Sequence, residues 1–268
     1  MLLRKIYYAL PPSLRFVVRR LRYLPQDVLQ KRNGLPPRGL IYTGDRDFVQ
    51  QGKEWVQFFF QQGLKQEYAF LDIGSGIGRI AIPLSQQLTG RYEGFDAIKK
   101  GVDWCQQNIA RQHPHFHFTY VPLFNDLYNA KGINAAEYSF PYADDSFEYA
   151  CAISVFSHLV PEETQNYLQQ AARVLKKGGK LTATFFILDE ASETSMKGTE
   201  FDFTHHMGNY ALMDKQVKAA NVAYQKDYLY QLISDSGLTV ASSIKGFWSS
   251  HRGSRSPIEF QDILTLVK

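Results

Sequence analysis

The chain has 268 residues, 44% of them hydrophobic and 21% charged, with a net charge of +4 and two cysteines. That length and composition suit one or two globular domains with a sizeable core, and they exclude a disordered or low-complexity chain. No apolar run approaches the roughly 18 residues of a membrane-spanning helix, and Cys105 and Cys151 make no recognisable disulfide or metal framework.

Charge is concentrated at the start. Through Gly44 there are nine basic residues against one acid, Asp27, so the remainder of the chain is net negative. Pro11, Pro12 and the arginines that follow interrupt any signal-peptide core, so export is not expected and a cytoplasmic location is. From Ser13 to Leu24, Leu14, Val17, Val18, Leu21 and Leu24 mark one helical face, with Arg15, Arg19 and Arg22 on another. Such a helix lies on an anionic membrane surface or meets an acidic partner; the competing reading is a lid that packs its apolar face on the main domain. Pro36, Pro37 and Gly39 read as a connector. The expected organisation is a basic helical N-terminal extension over 1–44 and one domain over 45–268.

Next comes "FLDIGSGIGRI", Phe70 to Ile80. The segment 68–73 reads as a short buried strand and 79–87 as a helix, with Pro83 confined to its first turn. Three glycines between them, Gly74, Gly76 and Gly78, serve no regular element. Bare backbone before a helix N-terminus lets a ligand approach unpaired amides; a tight turn without a ligand is the alternative. The spacing is GxGxG, not the GxGxxG of dinucleotide binding, and Asp72 at the strand end would repel phosphates. A ligand with a cationic amino acid end and a nucleoside end suits it better.

A second strand ends at Asp96, where an acidic residue is placed to bind both hydroxyls of a ribose, although a solvated turn aspartate looks the same when taken alone. A helix is expected over 98–112, with Val102, Cys105, Ile109 and Gln112 in helical register. Further strands are expected near 115–121, 147–154, 180–188, 238–245 and 259–267. Alternating strands and helices imply a mostly parallel sheet covered on both faces. His115 and His117 would share a strand face as a conceivable metal pair, but no third ligand stands at a suitable spacing, so no metal site is expected.

"LDIGSGIGR", "YEGFDAIKKGVDWC", "FPYADDSFEYACAISVFSHL" and "ARVLKKGGKLTATFF" occur in this order. They resemble the successive motifs of class I S-adenosylmethionine (SAM) dependent methyltransferases, across about residues 69–188. With "PPRGLIYTGDRDFVQQGKEW" upstream and "GFW" downstream, the chain is similar to a bacterial subgroup of methyltransferase-domain proteins, which implies the reaction but no substrate. The resemblance implies a Rossmann-like α/β fold, with a seven-stranded mostly parallel sheet, helices on both faces and an antiparallel last strand. It also implies SAM as cofactor, held by Asp72, Gly74, Ser75, Gly76, Gly78 and Arg79 at the methionine end, by Asp96 and Ala97 at the ribose, and by Glu137 and Tyr138 at the adenine rim. Ser154 would close the pocket mouth.

The sulfonium already activates the methyl group, so the protein chiefly aligns the acceptor, and a base helps only where the acceptor carries a proton of high pKa. His158 is the best candidate for that base; a histidine bonded to backbone is the competing reading. Related enzymes build substrate covers in the position of 189–224, and His205, His206 and Tyr210 offer a mixed aromatic and polar lining there, against the alternative of a disordered loop. Trp248 and Arg252 in "GFWSSHRGSRS" complete the expected substrate pocket, with Arg252 holding an anionic group or simply solvated. A small-molecule acceptor with a hydroxyl oxygen is expected. Nucleic acid is not, since "SVFSH" after the fourth strand lacks the motif that holds a flipped base; RNA or protein methylation and non-catalytic SAM binding are the alternatives.

Overall fold

The computed structural model describes residues 12–29, 34–42, 47–127, 129, 131–250 and 256–268. In chain order the strands are β1 (Phe70–Ile73), β2 (Tyr92–Asp96), β3 (Phe116–Tyr120), β4 (Phe147–Ala152), β5 (Leu175–Phe185), β6 (Ile187–Leu188), β7 (His205–His206), β8 (Tyr210–Leu212), β9 (Val222–Gln225), β10 (Thr239–Ile244) and β11 (Asp262–Val267). Seven of them form the main sheet in the order β10-β11-β5-β4-β1-β2-β3. Strands β1 to β5 pair in parallel, whereas β11 inserts antiparallel between β5 and β10. This is the expected Rossmann-like arrangement.

The helices are α1 (Pro12–Leu29), α2 (Phe48–Gln61), α3 (Ala81–Leu84), α4 (Lys99–Cys105), α5 (Pro161–Val174), α6 (Glu190–Ser195) and α7 (Lys226–Asp235). Strand side chains alternate between faces. Leu71, Ile73, Ala150 and Ala152 pack under α5 and α7 with Leu168, Ala171, Leu229 and Ile233. On the other face Phe70, Tyr92, Phe116 and Tyr149 pack beneath α2, α3 and α4. Their rings stack across neighbouring strands, Tyr92 on Phe116 at 4.5 Å and Phe70 on Tyr149 at 5.8 Å.

Local sequence signals overestimated two helices. The one expected over 79–87 is only the four residues of α3, because left-handed Gly78 delays its start and Pro83 lacks an amide donor. The helix expected over 98–112 becomes a π-type turn at Gln106–Ala110 after α4. The segment 189–224 is an ordered layer and not a loop: β6, β9, β8 and β7 form a second sheet, packed around Phe186, Leu188, Phe203, Ala211 and Trp248.

At the N-terminus α1 does not pack its apolar face on the domain as a lid would. Its described apolar side chains, Leu14, Val17, Val18, Leu21, Leu24, Val28 and Leu29, are all exposed. The following segment does join the domain: Ile41 is buried with Phe48 and Ile77, the latter from the glycine loop.

Candidate functional site

A cavity of about 960 Å³, counted out to its open mouth, lies where the loops after β1, β2, β3 and β4 converge. This is the carboxyl edge of the parallel strands, where open α/β sheets bind ligands.

The glycine loop forms one wall. The amides of Gly74 and Ser75 both donate to the carbonyl of Phe95, at 2.9 and 3.0 Å, which pins the loop over the end of β2. Gly74, Gly76 and Gly78 all have left-handed backbones, with φ of 75, 59 and 82°, which L side chains rarely adopt. Their reasons beyond that differ. A Cβ on Gly74 would stand 2.6 Å from Val155, and one on Gly78 2.7 Å from Ile109, whereas at Gly76 the nearest atom is the Tyr42 hydroxyl at 3.7 Å. Gly74 and Gly78 therefore serve packing of the loop, and Gly76 is the one with room beside the cavity.

Two carboxyls lie beside this loop. Asp96 accepts from the amides of Gly76 (2.8 Å) and Ile98 (2.7 Å) and from the Tyr42 hydroxyl at 3.4 Å. Asp72 accepts from the Tyr92 hydroxyl at 2.6 Å and the Cys151 thiol at 3.4 Å. Burial pushes both up from an ordinary 3.8 to about 6, against the pull of those donors. Arg79 donates to Gln51 at 2.9 Å, and its own pKa is lowered by burial and partly restored by the charge of Asp72. The buried hydroxyl of Ser75 has no hydrogen-bond partner.

These residues fit SAM. The orphaned Ser75 hydroxyl offers a polar contact in the cavity wall, Asp96 keeps unused acceptor capacity after its two backbone bonds, and Phe95, Ala97, Ile98, Leu123 and Ala135 supply a flat apolar wall beyond it.

The opposite wall carries His158, at the end of a 3-10 turn (Phe156–His158). Its Nδ1 lies 2.7 Å from the carbonyl of Ala219. A carbonyl can only accept, so Nδ1 carries the proton and Nε2 is the basic ring nitrogen. Burial holds the imidazole below its ordinary 6.5, which keeps it neutral at pH 7. The Ala219 carbonyl is itself positioned by Asp126, whose carboxylate accepts from the amides of Lys218 (2.8 Å) and Ala219 (3.0 Å). Ser154 also lines the cavity, with a left-handed backbone (φ 59°); its amide donates to Thr184 and its hydroxyl to Gln261.

Several expected site residues lie elsewhere. Glu137 is exposed and Tyr138 packs edge-on against Phe95; the cavity wall there is Ala135. His205 and His206 occupy the edge strand β7, and neither they nor Tyr210 line the cavity. Trp248 is buried in the second core, where its Nε1 donates to Asp262 at 2.7 Å. Asp262 takes two further donors, the amides of Ile187 and Gly246, so this pair builds the scaffold and not the pocket. Arg252 lies outside the described residues. The cover segment reaches the site through Ala219 instead, by a backbone atom that no side-chain pattern reports. Tyr42, Asn125 and Tyr167 also line the cavity without having been singled out: Tyr42 lies inside the upstream motif without a pattern of its own, and Asn125 and Tyr167 fall between the motifs. Among the described residues no group of three or more histidine, cysteine or acidic side chains gathers as a metal site.

Residues 71–183 match the family described as "Methyltransferase domain". A methyltransferase of Streptomyces halstedii, GfsG, is 24% identical over 59% of this chain and 55% of its own length. The tRNA N(3)-cytidine methyltransferase of Gallus gallus is 28% identical over 44% of this chain and 30% of its own. The chain thus spans about half the length of the first and under a third of the second. Among solved structures, the 1,6-didemethyltoxoflavin-N1-methyltransferase of Burkholderia thailandensis, with bound S-adenosylhomocysteine, superimposes with a TM-score of 0.54 over 97% of this chain and 91% of its own, at 16% identity. That level of identity speaks for the fold alone. Residues 71–183 thus match a methyltransferase domain, and the chain as a whole has the fold of the S-adenosylhomocysteine-bound enzyme.

Proposed function

We propose that the chain methylates a hydroxyl oxygen on a small-molecule acceptor, by in-line displacement that needs no metal, with His158 as the general base. The observation that carries this reading is the bond from Nδ1 of His158 to the Ala219 carbonyl, which makes Nε2 the basic nitrogen of a neutral imidazole in the cavity wall. SAM supplies, when bound, a methyl group already activated by positive sulfur. What remains for the protein is to hold, align and deprotonate. Asp72, Arg79, Ser75 and the amides of Gly74 to Gly78 are assigned to the methionine end, and Asp96 with Ala97 to the ribose. Phe124, Val155 and Leu159 give the acceptor side an apolar wall, suited to a ligand with an apolar body and one polar reacting group. Nε2 of His158 takes the hydroxyl proton as oxygen attacks, and the imidazolium keeps its Nδ1 bond to Ala219.

The test is a screen of hydroxylated metabolites for release of S-adenosylhomocysteine, repeated with His158→Asn. Asparagine can still donate to the Ala219 carbonyl but cannot act as a base. With an active acceptor, turnover should fall about 10²- to 10⁴-fold while calorimetric SAM affinity stays at the wild-type value. Loss of both would make His158 structural, and unimpaired turnover would exclude it as the base. The tRNA methyltransferase relative supports a second reading, an RNA acceptor. It predicts acceptor affinity that falls steeply with salt, which a small neutral acceptor would not show.

A further inference from the structure

The helix α1 is attached to the rest of the chain the wrong way round for a core element. Both carboxylate oxygens of Asp27 are taken by backbone amides of the following turn, Arg38 at 2.6 Å and Gly39 at 3.0 Å. A Cβ on Gly39 would lie 3.1 Å from the Cα of Arg20, so this polar side of the helix is the one that meets the chain. The apolar side faces away. Leu14, Val17, Val18, Leu21, Leu24 and Val28 are 43–67% exposed, and no described α1 side chain enters any of the buried apolar clusters.

At 3.6 residues per turn those six side chains occupy an arc of about 120°. Arginines border it on both edges: Arg20 lies one turn before Leu24, and Arg22 one turn after Val18. Both are exposed. The single acid of the helix, Asp27, is the one tied to amides, so the outward surface is apolar and cationic with no compensating carboxylate. A second copy of this helix would oppose arginine to arginine. A lipid surface instead offers apolar depth and anionic headgroups in one plane, which matches an apolar stripe with arginines at its rims. No described helix is long and apolar enough to cross a membrane, so such a helix would lie in the interface.

We infer that α1 is a docking face for a bilayer surface bearing anionic lipid, making the protein a peripheral membrane methyltransferase. This stands apart from the identity of the acceptor and from the role of His158.

The experiment is co-sedimentation of the full chain with vesicles of phosphatidylcholine alone and of phosphatidylcholine mixed with phosphatidylglycerol, at low and high salt. The wild type should bind the mixed vesicles, bind neutral ones weakly or not at all, and be released by salt. Arg20→Ala with Arg22→Ala should weaken binding more than ten-fold, since each cation near such a surface contributes about five-fold. Leu21→Glu with Val28→Glu should abolish it. Both variants should keep the wild-type melting temperature and SAM affinity, which shows that the domain is folded. The inference is overturned if mixed vesicles bind no better than neutral ones, or if neither variant changes binding. It is equally overturned if light scattering shows a dimer that Leu21→Glu with Val28→Glu dissolves, because a second copy would then cover this face.

Discussion

Replacing Asp96 by asparagine separates the two jobs its carboxylate does. In the folded protein the group titrates near 6 instead of 3.8, so at pH 8 its charge is buried at a cost of about 3 kcal/mol relative to the unfolded chain. Asparagine removes that cost. It also turns one of the two oxygens into an NH₂ that cannot accept from Gly76 or Ile98, and an amide left without a partner costs about 1–3 kcal/mol. The two effects oppose each other, so the melting temperature should move little. SAM affinity should move much more, because a hydroxyl bonded to a charged acceptor is worth about 1.5–3 kcal/mol. Calorimetric titration at pH 8 should therefore show binding about ten- to hundred-fold weaker in Asp96→Asn. The gap should narrow as pH falls below about 6, where the wild-type carboxyl is itself neutral. Unchanged affinity would remove the ribose from Asp96. Lost affinity accompanied by a large drop in melting temperature would make Asp96 a brace for the glycine loop and nothing more.

Stability should respond to pH with a definite sign. A carboxyl whose folded pKa is raised binds more protons folded than unfolded between 3.8 and about 6, so its contribution is full at low pH and is lost as pH rises through 6. Denaturant unfolding of the wild type minus that of Asp96→Asn should thus fall by about 2 kcal/mol from pH 4 to pH 7; a flat difference would show that the carboxyl is not perturbed. In the loop, Gly76→Ala should cost about 1–2 kcal/mol for its left-handed backbone alone, whereas Gly78→Ala adds a clash with Ile109 and should cost about 1–3 kcal/mol more. Equal thermal shifts would refute that division. Trp248→Phe leaves Asp262 one donor short and should destabilise by about 1–3 kcal/mol with SAM affinity intact; weaker binding in a fully stable variant would return Trp248 to the pocket.

The sequence by itself determined the sheet and its glycine loop. Short apolar strands, three glycines after β1 and acids closing β1 and β2 are local patterns, each written in consecutive residues, and together they demand a βαβ frame and suit a nucleoside ligand with a cationic end. The positions of β1 to β4 followed closely because these short, mostly buried strands are bounded by turn residues, whereas β5 begins at Leu175, before the expected 180, and the second sheet left no such pattern. Helix lengths did not follow, since Pro83 and the π-type turn act against a propensity that looks continuous.

Only the tertiary structure decided who shares the cavity. His158 looked like a base or a backbone-bonded residue, and the fold shows the backbone bond, by bringing the Ala219 carbonyl from the cover segment to its Nδ1; its role as a base is what His158→Asn tests. His205, His206 and Tyr210 looked like a pocket lining because aromatic and polar residues alternate there, yet pairing within the second sheet places them away from the cavity. Trp248 was claimed by the buried carboxylate of Asp262, fourteen residues further on. Periodicity marks the apolar face of α1, but which side meets the following turn was settled by two hydrogen bonds to Asp27. Periodicity reports that a residue needs burial or a partner; long-range hydrogen bonds and packing choose which partner it finds.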